Sequence, residues 1–198
     1  MAQPARPLPS LDEPRNAPEI EAAYAAVPDG MKAEILEGLF VMMNRPKTRH
    51  TRAASKLGAL LTIAYEEGIG GPGGWVFLAE PELWLGRRPD KMGPDLAGWR
   101  RERLPPEPEG AMIDIVPDFI CEVLSDSTED IDRGRKKRIY ARERVPHYWL
   151  VDPEARSVEI HALEGPKYGL VAEHHGDVPM RAPPFDEASI DLTRLWAW

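Results

Sequence analysis

The sequence predicts an α/β domain in which a mixed β-sheet is flanked by helices and accompanied by additional β-hairpins. In "PDFICEVLS", residues 117–125, apolar residues fall on both faces of a predicted strand, as in a central strand covered on both sides. A helical stretch, "STEDIDRGRKKRIYARERV", and a further strand, "PHYWLVDP", follow in that order. Most other apolar runs are short and separated by turn residues, which is typical of hairpins.

The N-terminal part predicts an arm followed by short elements. Residues 1–17 are rich in proline and lack periodicity, so we expect a flexible arm before a single domain over residues 18–198. "PEIEAAYAAVP" predicts a helix bounded by prolines, and "MKAEILEGLFVMM" predicts two strands around a Glu37-Gly38 turn. Helical spacing of apolar residues predicts a helix over residues 48–67, which Gly68 ends.

The middle of the chain predicts strands and loops around the central strand. "GIGGPGG" predicts a turn, because it lacks the G-x-x-x-x-G-K-[ST] pattern of a phosphate loop. Strand-like runs follow in "WVFLAEPELWL" and in "PDLAGW". Residues 100–116 predict a surface loop that could end in a short strand. The helix after the central strand is expected to begin at Ser127 or Thr128. Further strands are predicted in "PHYWLVDP", "SVEIHAL" and "YGLVAEHH".

Composition narrows the function classes. The formal net charge of −8 counts against a general nucleic-acid coat protein, although "RGRKKR", residues 133–138, is a local basic cluster. The single cysteine, Cys121, excludes an intrachain disulfide and fits a reducing compartment. No apolar run approaches the ~20 residues of a membrane helix, and the N-terminus lacks the apolar core of a signal peptide. We therefore expect a cytoplasmic protein without membrane contact.

Glu122 is a carboxylate in the middle of an apolar strand, where an unpaired charge costs several kcal/mol. A positive group should therefore face it. One candidate is a metal ion shared with Asp95, which opens the preceding strand-like run and leaves room for a loop before the two strands pair. Two carboxylates and a neighbouring main-chain carbonyl, that of Val123, form a hard oxygen site suited to Mg²⁺ or Mn²⁺.

A lysine on the following helix is the other candidate partner. Lys136 lies three and four residues before Ile139 and Tyr140, the apolar residues expected to face the sheet. Lys137 is rotated by about 100° from Lys136, toward the flank of the helix. Lys136 can therefore lean toward Glu122, or it can form a surface ion pair with Asp132, one turn earlier.

Two acids, a lysine and a hard cation are typical of a phosphodiesterase site. The cation polarises a phosphate and lowers the pKa of a bound water, while the lysine orients that water or neutralises developing charge. Paired carboxylates also occur in glycosidases, but the lysine argues against that class. His174 and His175 lack spaced acid or cysteine partners, so they are interpreted as residues at a strand end.

At these residues the chain resembles the PD-(D/E)XK nuclease superfamily and, more narrowly, the Uma-two family of restriction endonucleases. The resemblance runs from about residue 19 to the C-terminus. It is carried by "AEILEGLFVMM", the Arg49-His50 pair, "GPDLAGW", "PDFICEVLSDST", "DRGRKKRIYARERVPHYWLVDPEARSVEIHAL" and "SIDLTRLW".

The resemblance implies a restriction-endonuclease-like fold, with Asp95 as the superfamily aspartate and Glu122 as the first acid of the (D/E)XK motif. The usual lysine position is occupied by Leu124, and the resemblance implies that the lysine has moved to Lys136. The family's Ser-Pro-Ser-Thr run is interrupted here by Asp126, an acid that could alter metal affinity or be harmless.

These observations predict a Mg²⁺-dependent endonuclease that hydrolyses DNA; the alternative is a nuclease-fold protein that binds or assembles without cutting. The resemblance also matches Glu34 to a glutamate in the family's first strand, which could approach the metal, although a half-exposed strand residue is the simpler interpretation. His50 could contact phosphate, or else cap or pack its helix. Arg133 and Lys137 are predicted nucleic-acid contacts. A homodimer is expected because cutting both strands of a duplex requires two sites, with tryptophans such as those of "LWAW" as a source of apolar contact.

Overall fold

A computed structural model describes residues 16–28, 31–43, 46–105, 110 and 112–197 of the chain. Residues 1–15 of the predicted arm lie outside the described residues. Asn16 is buried, and its Nδ2 donates a hydrogen bond of 2.8 Å to the carbonyl of Pro89. The packed part of the chain therefore already includes Asn16, which the predicted arm contained.

The helices confirm the predicted ones and add a short one near the C-terminus. The second helix is extended by a π-helical turn over Thr62–Glu66, and the third is preceded by a π-helical turn over Ile131–Lys136. The helices of the described residues are α1 (Pro18–Ala25), α2 (Thr48–Leu61), α3 (Lys137–Arg142) and α4 (Thr193–Trp196).

The strands of the described residues fall in three groups, one before α2, one between α2 and α3, and one after α3. They are β1 (Lys32–Leu36), β2 (Leu39–Met43), β3 (Trp75–Ala79), β4 (Glu82–Leu85), β5 (Asp90–Met92), β6 (Leu96–Arg100), β7 (Met112–Ile113), β8 (Phe119–Val123), β9 (His147–Asp152), β10 (Ser157–Glu164), β11 (Lys167–His175), β12 (Pro179–Ala182) and β13 (Phe185–Asp191). The Glu37-Gly38 turn joins β1 to β2 as predicted, and both of its residues have positive φ, as a two-residue turn of type I′ requires.

The central sheet has six strands in the order β11-β10-β9-β8-β6-β3, in which β8 runs parallel to β9 and antiparallel to β6. All five residues of β8 are buried. Phe119, Cys121 and Val123 belong to one hydrophobic core, and Ile120 and Leu124 belong to the other. The predicted central strand with two covered faces is confirmed.

Each face of the central sheet has its own cover. Residues of α2, α4 and the β12–β13 hairpin pack on one face, where the Phe185 ring lies 4.8 Å from Phe119 and 5.4 Å from Trp149. Residues of α3 and of a five-stranded sheet, in the order β2-β1-β5-β4-β7, form the core on the other face. This arrangement confirms the predicted mixed sheet with flanking helices. Within the described residues, no helix has the length and apolarity to cross a membrane.

The strand-like run "WVFLAEPELWL" is divided between the two sheets. Its first half is β3 of the six-stranded sheet, and its second half is β4 of the five-stranded sheet. The division falls at Glu80, which has a φ of 47°, and at Pro81, which has no N–H for a ladder. This run therefore joins the two sheets.

Candidate active site

Two neighbouring strands bring the predicted carboxylates together. β6 pairs with β8 in a register that sets Leu96 opposite Cys121, so the next rung sets Asp95 opposite Glu122 on the same face of the sheet. Both side chains line a cleft of about 330 Å³. The predicted strand pairing is thus confirmed, and the two acids meet at the end of the β6–β8 ladder.

Asp95 is held in a fixed orientation by two donors. Its Oδ2 accepts a 2.7 Å hydrogen bond from the Val123 N–H and lies 3.2 Å from Nε2 of His50 on α2. Burial alone would raise the pKa of Asp95, but the His50 imidazole and the Val123 N–H hold it below its ordinary value. Asp95 is therefore an ionised carboxylate, and His50 contacts an acid of the site in addition to packing in its helix.

Glu122 is buried and receives both of its hydrogen bonds on one oxygen. Its Oε1 lies 3.1 Å from Nζ of Lys136 and accepts a 2.7 Å hydrogen bond from the Tyr140 hydroxyl. Burial, opposed by Lys136 and reinforced by neighbouring carboxylates such as Asp132 and Asp95, raises the pKa of Glu122 to about 8. A further cation in the cleft would favour the ionised form of Glu122.

Lys136 lies at the centre of a cluster of acids. Its Nζ is 3.1 Å from Glu34 Oε1, 3.1 Å from Glu122 Oε1 and 3.4 Å from Asp132 Oδ1. Burial would lower the pKa of Lys136, but the surrounding carboxylates, Glu122 foremost, raise it well above its ordinary value. Both partners considered for this lysine, Glu122 and Asp132, are thus present, and Lys136 stays charged.

The helix that carries Lys136 explains why it is buried. Asp132, Lys136, Ile139 and Tyr140 are all buried, and their spacing of four, three and one residues forms a single stripe toward the sheet. The expectation that Lys136 faces the sheet is confirmed. The π-helical turn ends at Lys136, and such turns are frequent at functional sites.

Glu34 differs from its simpler interpretation as a half-exposed strand residue. It is fully buried, and its Oε1 accepts a 2.9 Å hydrogen bond from the Gly93 N–H. Its Oε2 is buried and has no hydrogen-bond partner among the described residues. Burial follows from tertiary packing, because β1 lies inside the five-stranded sheet and shares its inward face with Leu36. A buried carboxylate oxygen without a hydrogen-bond partner is a candidate ligand of a cation.

The structure also brings in two residues that sequence reasoning had not assigned to the site. The sequence predicts Asp132 only as a surface partner of Lys136, and Tyr140 only as an apolar residue facing the sheet. Both carry polar atoms into the cluster around Glu122. Their spacing of four residues on either side of Lys136 is a signal that could have identified them.

The two predicted nucleic-acid contacts lie on the flank of the same helix. The Arg133 guanidinium is 2.6 Å from Glu129 and 2.6 Å from Glu159. Lys137 Nζ is 3.3 Å from Nδ1 of His161, and burial lowers the pKa of Lys137. Neither residue is among those that line the cleft. Their contact with nucleic acid remains a prediction.

Asp126, the acid that interrupts the Ser-Pro-Ser-Thr run, lies at the rim of the cleft. It is exposed and forms a 2.6 Å ion pair with Lys47, the residue before α2. The Lys47 ammonium holds the pKa of Asp126 below its ordinary value. His174 and His175 lie at the end of β11, an edge strand of the six-stranded sheet, as the sequence predicted.

The donor atoms of the cleft fit a hard divalent cation. Four buried carboxylates, those of Glu34, Asp95, Glu122 and Asp132, face a single buried ammonium, that of Lys136. In the described ranges, no three acidic, histidine or cysteine side chains converge as a metal site. An ion would therefore need oxygens beyond the side chains. The Val123 carbonyl is suitable, since the C=O and N–H of a strand residue point to the same side and this N–H points to Asp95.

Comparisons with known proteins agree with this architecture. Residues 18–193 match a family model described as "Uma2: Putative restriction endonuclease". A crystal structure from Anabaena variabilis ATCC 29413, described as "a putative nuclease belonging to DUF820", superposes with a TM-score of 0.70 at 16% sequence identity. That match covers 89% of this chain and 96% of the other. No curated protein matches the chain. The shared architecture confirms the predicted fold class.

Proposed function

Because the chain belongs to the family described as "Uma2: Putative restriction endonuclease", we propose that it is a Mg²⁺- or Mn²⁺-dependent endonuclease that hydrolyses phosphodiester bonds of duplex DNA. The observation that carries the proposal is the buried constellation of Asp95, Glu122 and Lys136 in a cleft. Burying so many charges costs stability, and folding alone gives no reason for this cost. Perturbed buried charges in a cleft are typical of functional sites.

The proposed ion would be held by Asp95, Glu122 and the main-chain carbonyl of Val123. When bound, it supplies positive charge to the phosphate and lowers the pKa of a water. The residues of the chain contribute orientation: the Val123 N–H and His50 fix Asp95, and Lys136 and Tyr140 fix Glu122. The excess of carboxylates over ammonium groups supports a cationic occupant, since an anionic substrate would otherwise be repelled.

Lys136 is the proposed catalytic lysine. Its ammonium has three N–H donors, and three carboxylates lie within 3.4 Å of it. Held in this way, Lys136 keeps its positive charge beside the two proposed ligands. There it can neutralise charge that develops on the phosphate during attack by water.

Cleavage of plasmid and oligonucleotide substrates tests the proposal. The wild-type protein should cut in Mg²⁺ or Mn²⁺ and not in EDTA, while Asp95→Asn and Glu122→Gln should reduce the rate by orders of magnitude. Calorimetric titration with Mn²⁺ should show binding that Glu122→Gln weakens strongly. Asp177→Asn is the matched control, since Asp177 is an exposed carboxylate that pairs with Arg156.

The alternative function, a nuclease-fold protein that binds without cutting, has its own outcome in these assays. It would bind DNA with measurable affinity and leave every substrate intact in both metals. Equal Mn²⁺ binding by the wild type and Glu122→Gln would contradict the proposed ion site.

A further inference from the structure

We infer that Tyr140 is a positioning residue: together with Lys136 it holds Oε1 of Glu122, so that Oε2 is the oxygen presented to a divalent ion in the cleft. This inference rests on the proposed function, because it concerns how Glu122 meets that ion. It assigns a role to a side chain that neither the motif nor the family description includes.

Both polar contacts of the Glu122 carboxylate are made by the same oxygen, Oε1. The Tyr140 hydroxyl lies 2.7 Å from Oε1, and Lys136 Nζ lies 3.1 Å from the same atom. Among the described residues, none donates a hydrogen bond to Oε2. Because Glu122 also lines the cleft, Oε2 is the oxygen that remains for a ligand.

Two hydrogen-bond donors fix the orientation of the Glu122 carboxylate, which one donor alone would not do. The terminal torsion of a glutamate has a broad, shallow energy profile, so a single hydrogen bond leaves the carboxylate plane free to turn. Lys136 and Tyr140 are one helical turn apart on the same stripe, and both are buried. They approach Oε1 from two points of a rigid element and so define the direction of the carboxylate.

Tyr140 is itself held in place by its surroundings. It is fully buried, and its ring packs 5.4 Å from the ring of Tyr148. Hydrogen bonds to an ion-binding carboxylate from surrounding residues typically change metal affinity by 10- to 100-fold when they are removed. A phenol in this position acts without adding charge to the cluster.

Tyr148 provides a matched control for Tyr140. It is also fully buried, and its hydroxyl donates a 3.0 Å hydrogen bond to the main-chain carbonyl of Asp132. Tyr148→Phe therefore removes one buried hydroxyl and leaves one buried acceptor, as Tyr140→Phe does. A general loss of packing should affect both variants alike. Because only Tyr140 contacts Glu122, a difference between the variants reports on that contact.

The test is a Mn²⁺ titration of the full-length protein without nucleic acid, followed by calorimetry or by the electron paramagnetic resonance of free Mn²⁺. Tyr140→Phe should weaken Mn²⁺ binding by about tenfold or more, while Tyr148→Phe stays within about twofold of the wild type. The two variants should lose thermal stability to a similar extent. Combining Tyr140→Phe with Glu122→Gln should add little to the loss caused by Glu122→Gln alone.

Cleavage kinetics give a second readout. At saturating Mn²⁺ the single-turnover rate of Tyr140→Phe should recover a large part of the wild-type rate, whereas at low Mn²⁺ it should fall in proportion to occupancy. Equal Mn²⁺ affinities of Tyr140→Phe and Tyr148→Phe, in a wild-type protein that does bind Mn²⁺, would overturn the inference and leave the proposed function intact. A wild-type protein that binds no Mn²⁺ would overturn both, and its own titration identifies that case.

Discussion

At the scale of single residues, Glu122 makes the stability of the folded protein depend on pH. Its pKa is raised to about 8, first by burial, so between pH 4.5 and 8 the folded protein binds more protons than the unfolded chain. The free energy of unfolding of the metal-free protein should therefore fall as pH rises through this range, by a few kcal/mol. Asp132, whose pKa burial also raises, contributes with the same sign.

Urea unfolding at several pH values in EDTA measures this dependence. Glu122→Gln should be more stable than the wild type at pH 8 and should show a flatter pH dependence, because it removes the carboxylate that must ionise in a buried place. Asp177→Asn, at an exposed site, should follow the wild-type curve. Parallel curves for the wild type and Glu122→Gln would show that Glu122 does not carry the raised pKa.

Lys136 and Lys137 allow a test with two adjacent lysines, one buried among the acids of the site and the other half-buried on the flank of the helix. Lys136→Met, which keeps the volume of the buried stem, should abolish cleavage and leave DNA affinity nearly unchanged. Lys137→Ala should weaken DNA binding, lower its salt dependence by about one unit of slope, and spare the rate at saturating DNA. Single-turnover cleavage and binding titrations at several salt concentrations separate the two effects.

The folded state of each lysine variant is checked by circular dichroism. A folded Lys136→Met protein that cuts at the wild-type rate would remove Lys136 from the proposed mechanism. If Lys137→Ala binds DNA with unchanged affinity and unchanged salt dependence, Lys137 is not one of the DNA contacts. Its half-buried contact with His161 already limits how far the Lys137 ammonium can reach toward DNA.

The positions of some residues of the site could be predicted from the sequence, and those of others could not. The meeting of Asp95, Glu122 and Lys136 could be predicted, because it depends on strand register and helical period, which are regular. The burial of Glu34 could not, because it depends on how the five-stranded sheet packs beside the helix of Lys136. The role of the Tyr140 hydroxyl could not be predicted, because an aromatic residue on a buried stripe usually serves packing.

At the scale of elements, Gly98 shows how closely the central strands pack. It lies between Phe77 of β3 and Phe119 of β8 in a single rung, and a Cβ at this position would come within 2.8 Å of the Phe77 ring. Gly98→Ala should therefore destabilise the protein by about 1–3 kcal/mol, measured by urea unfolding.

Gly58 of α2 is the control for this prediction. A Cβ there would meet Leu96 at 3.7 Å, an ordinary contact. Gly58→Ala should stabilise the protein by about 0.5–1 kcal/mol, because alanine favours a helix interior. Equal effects of the two substitutions would contradict the close packing of the Phe77–Gly98–Phe119 rung.

Two sets of strands could not be predicted from the sequence, for different reasons. β5 has only three residues, which is too few for a periodic signal. β13 has seven residues, but its buried and exposed residues do not alternate regularly, so it lacks the period of a half-buried strand. The long helices and the central strand, which bury a whole face, were predictable.

At the scale of the whole molecule, the proposed homodimer needs a contact surface. Four of the tryptophans that the structure describes are occupied within the chain: Trp75, Trp99 and Trp149 are fully buried, and Trp196 packs against the core. Trp198 lies outside the described residues. Exposed apolar residues occur instead on edge strands, at Leu39 and Met42 of β2 and at Leu170 and Val171 of β11.

Light scattering on the purified protein tests the dimer. A mass near twice 22.2 kDa is expected at micromolar concentration, since cleavage of both strands of a duplex requires two sites. A mass near 22.2 kDa would contradict a stable dimer. Nicking of one strand by such a monomer would then be the expected activity.

The ion pair between Glu34 and Lys136 joins parts of the chain that are roughly a hundred residues apart in sequence. During synthesis the first sheet strands leave the ribosome well before the helix that bears Lys136 and Tyr140, and loop closure over such a span is slow. A nascent chain therefore contains Asp95 and Glu122 before it contains their partner. The proposed endonuclease would therefore gain its complete set of Asp95, Glu122 and Lys136 only after about two thirds of its 198 residues have been made, so shorter nascent chains should not cut.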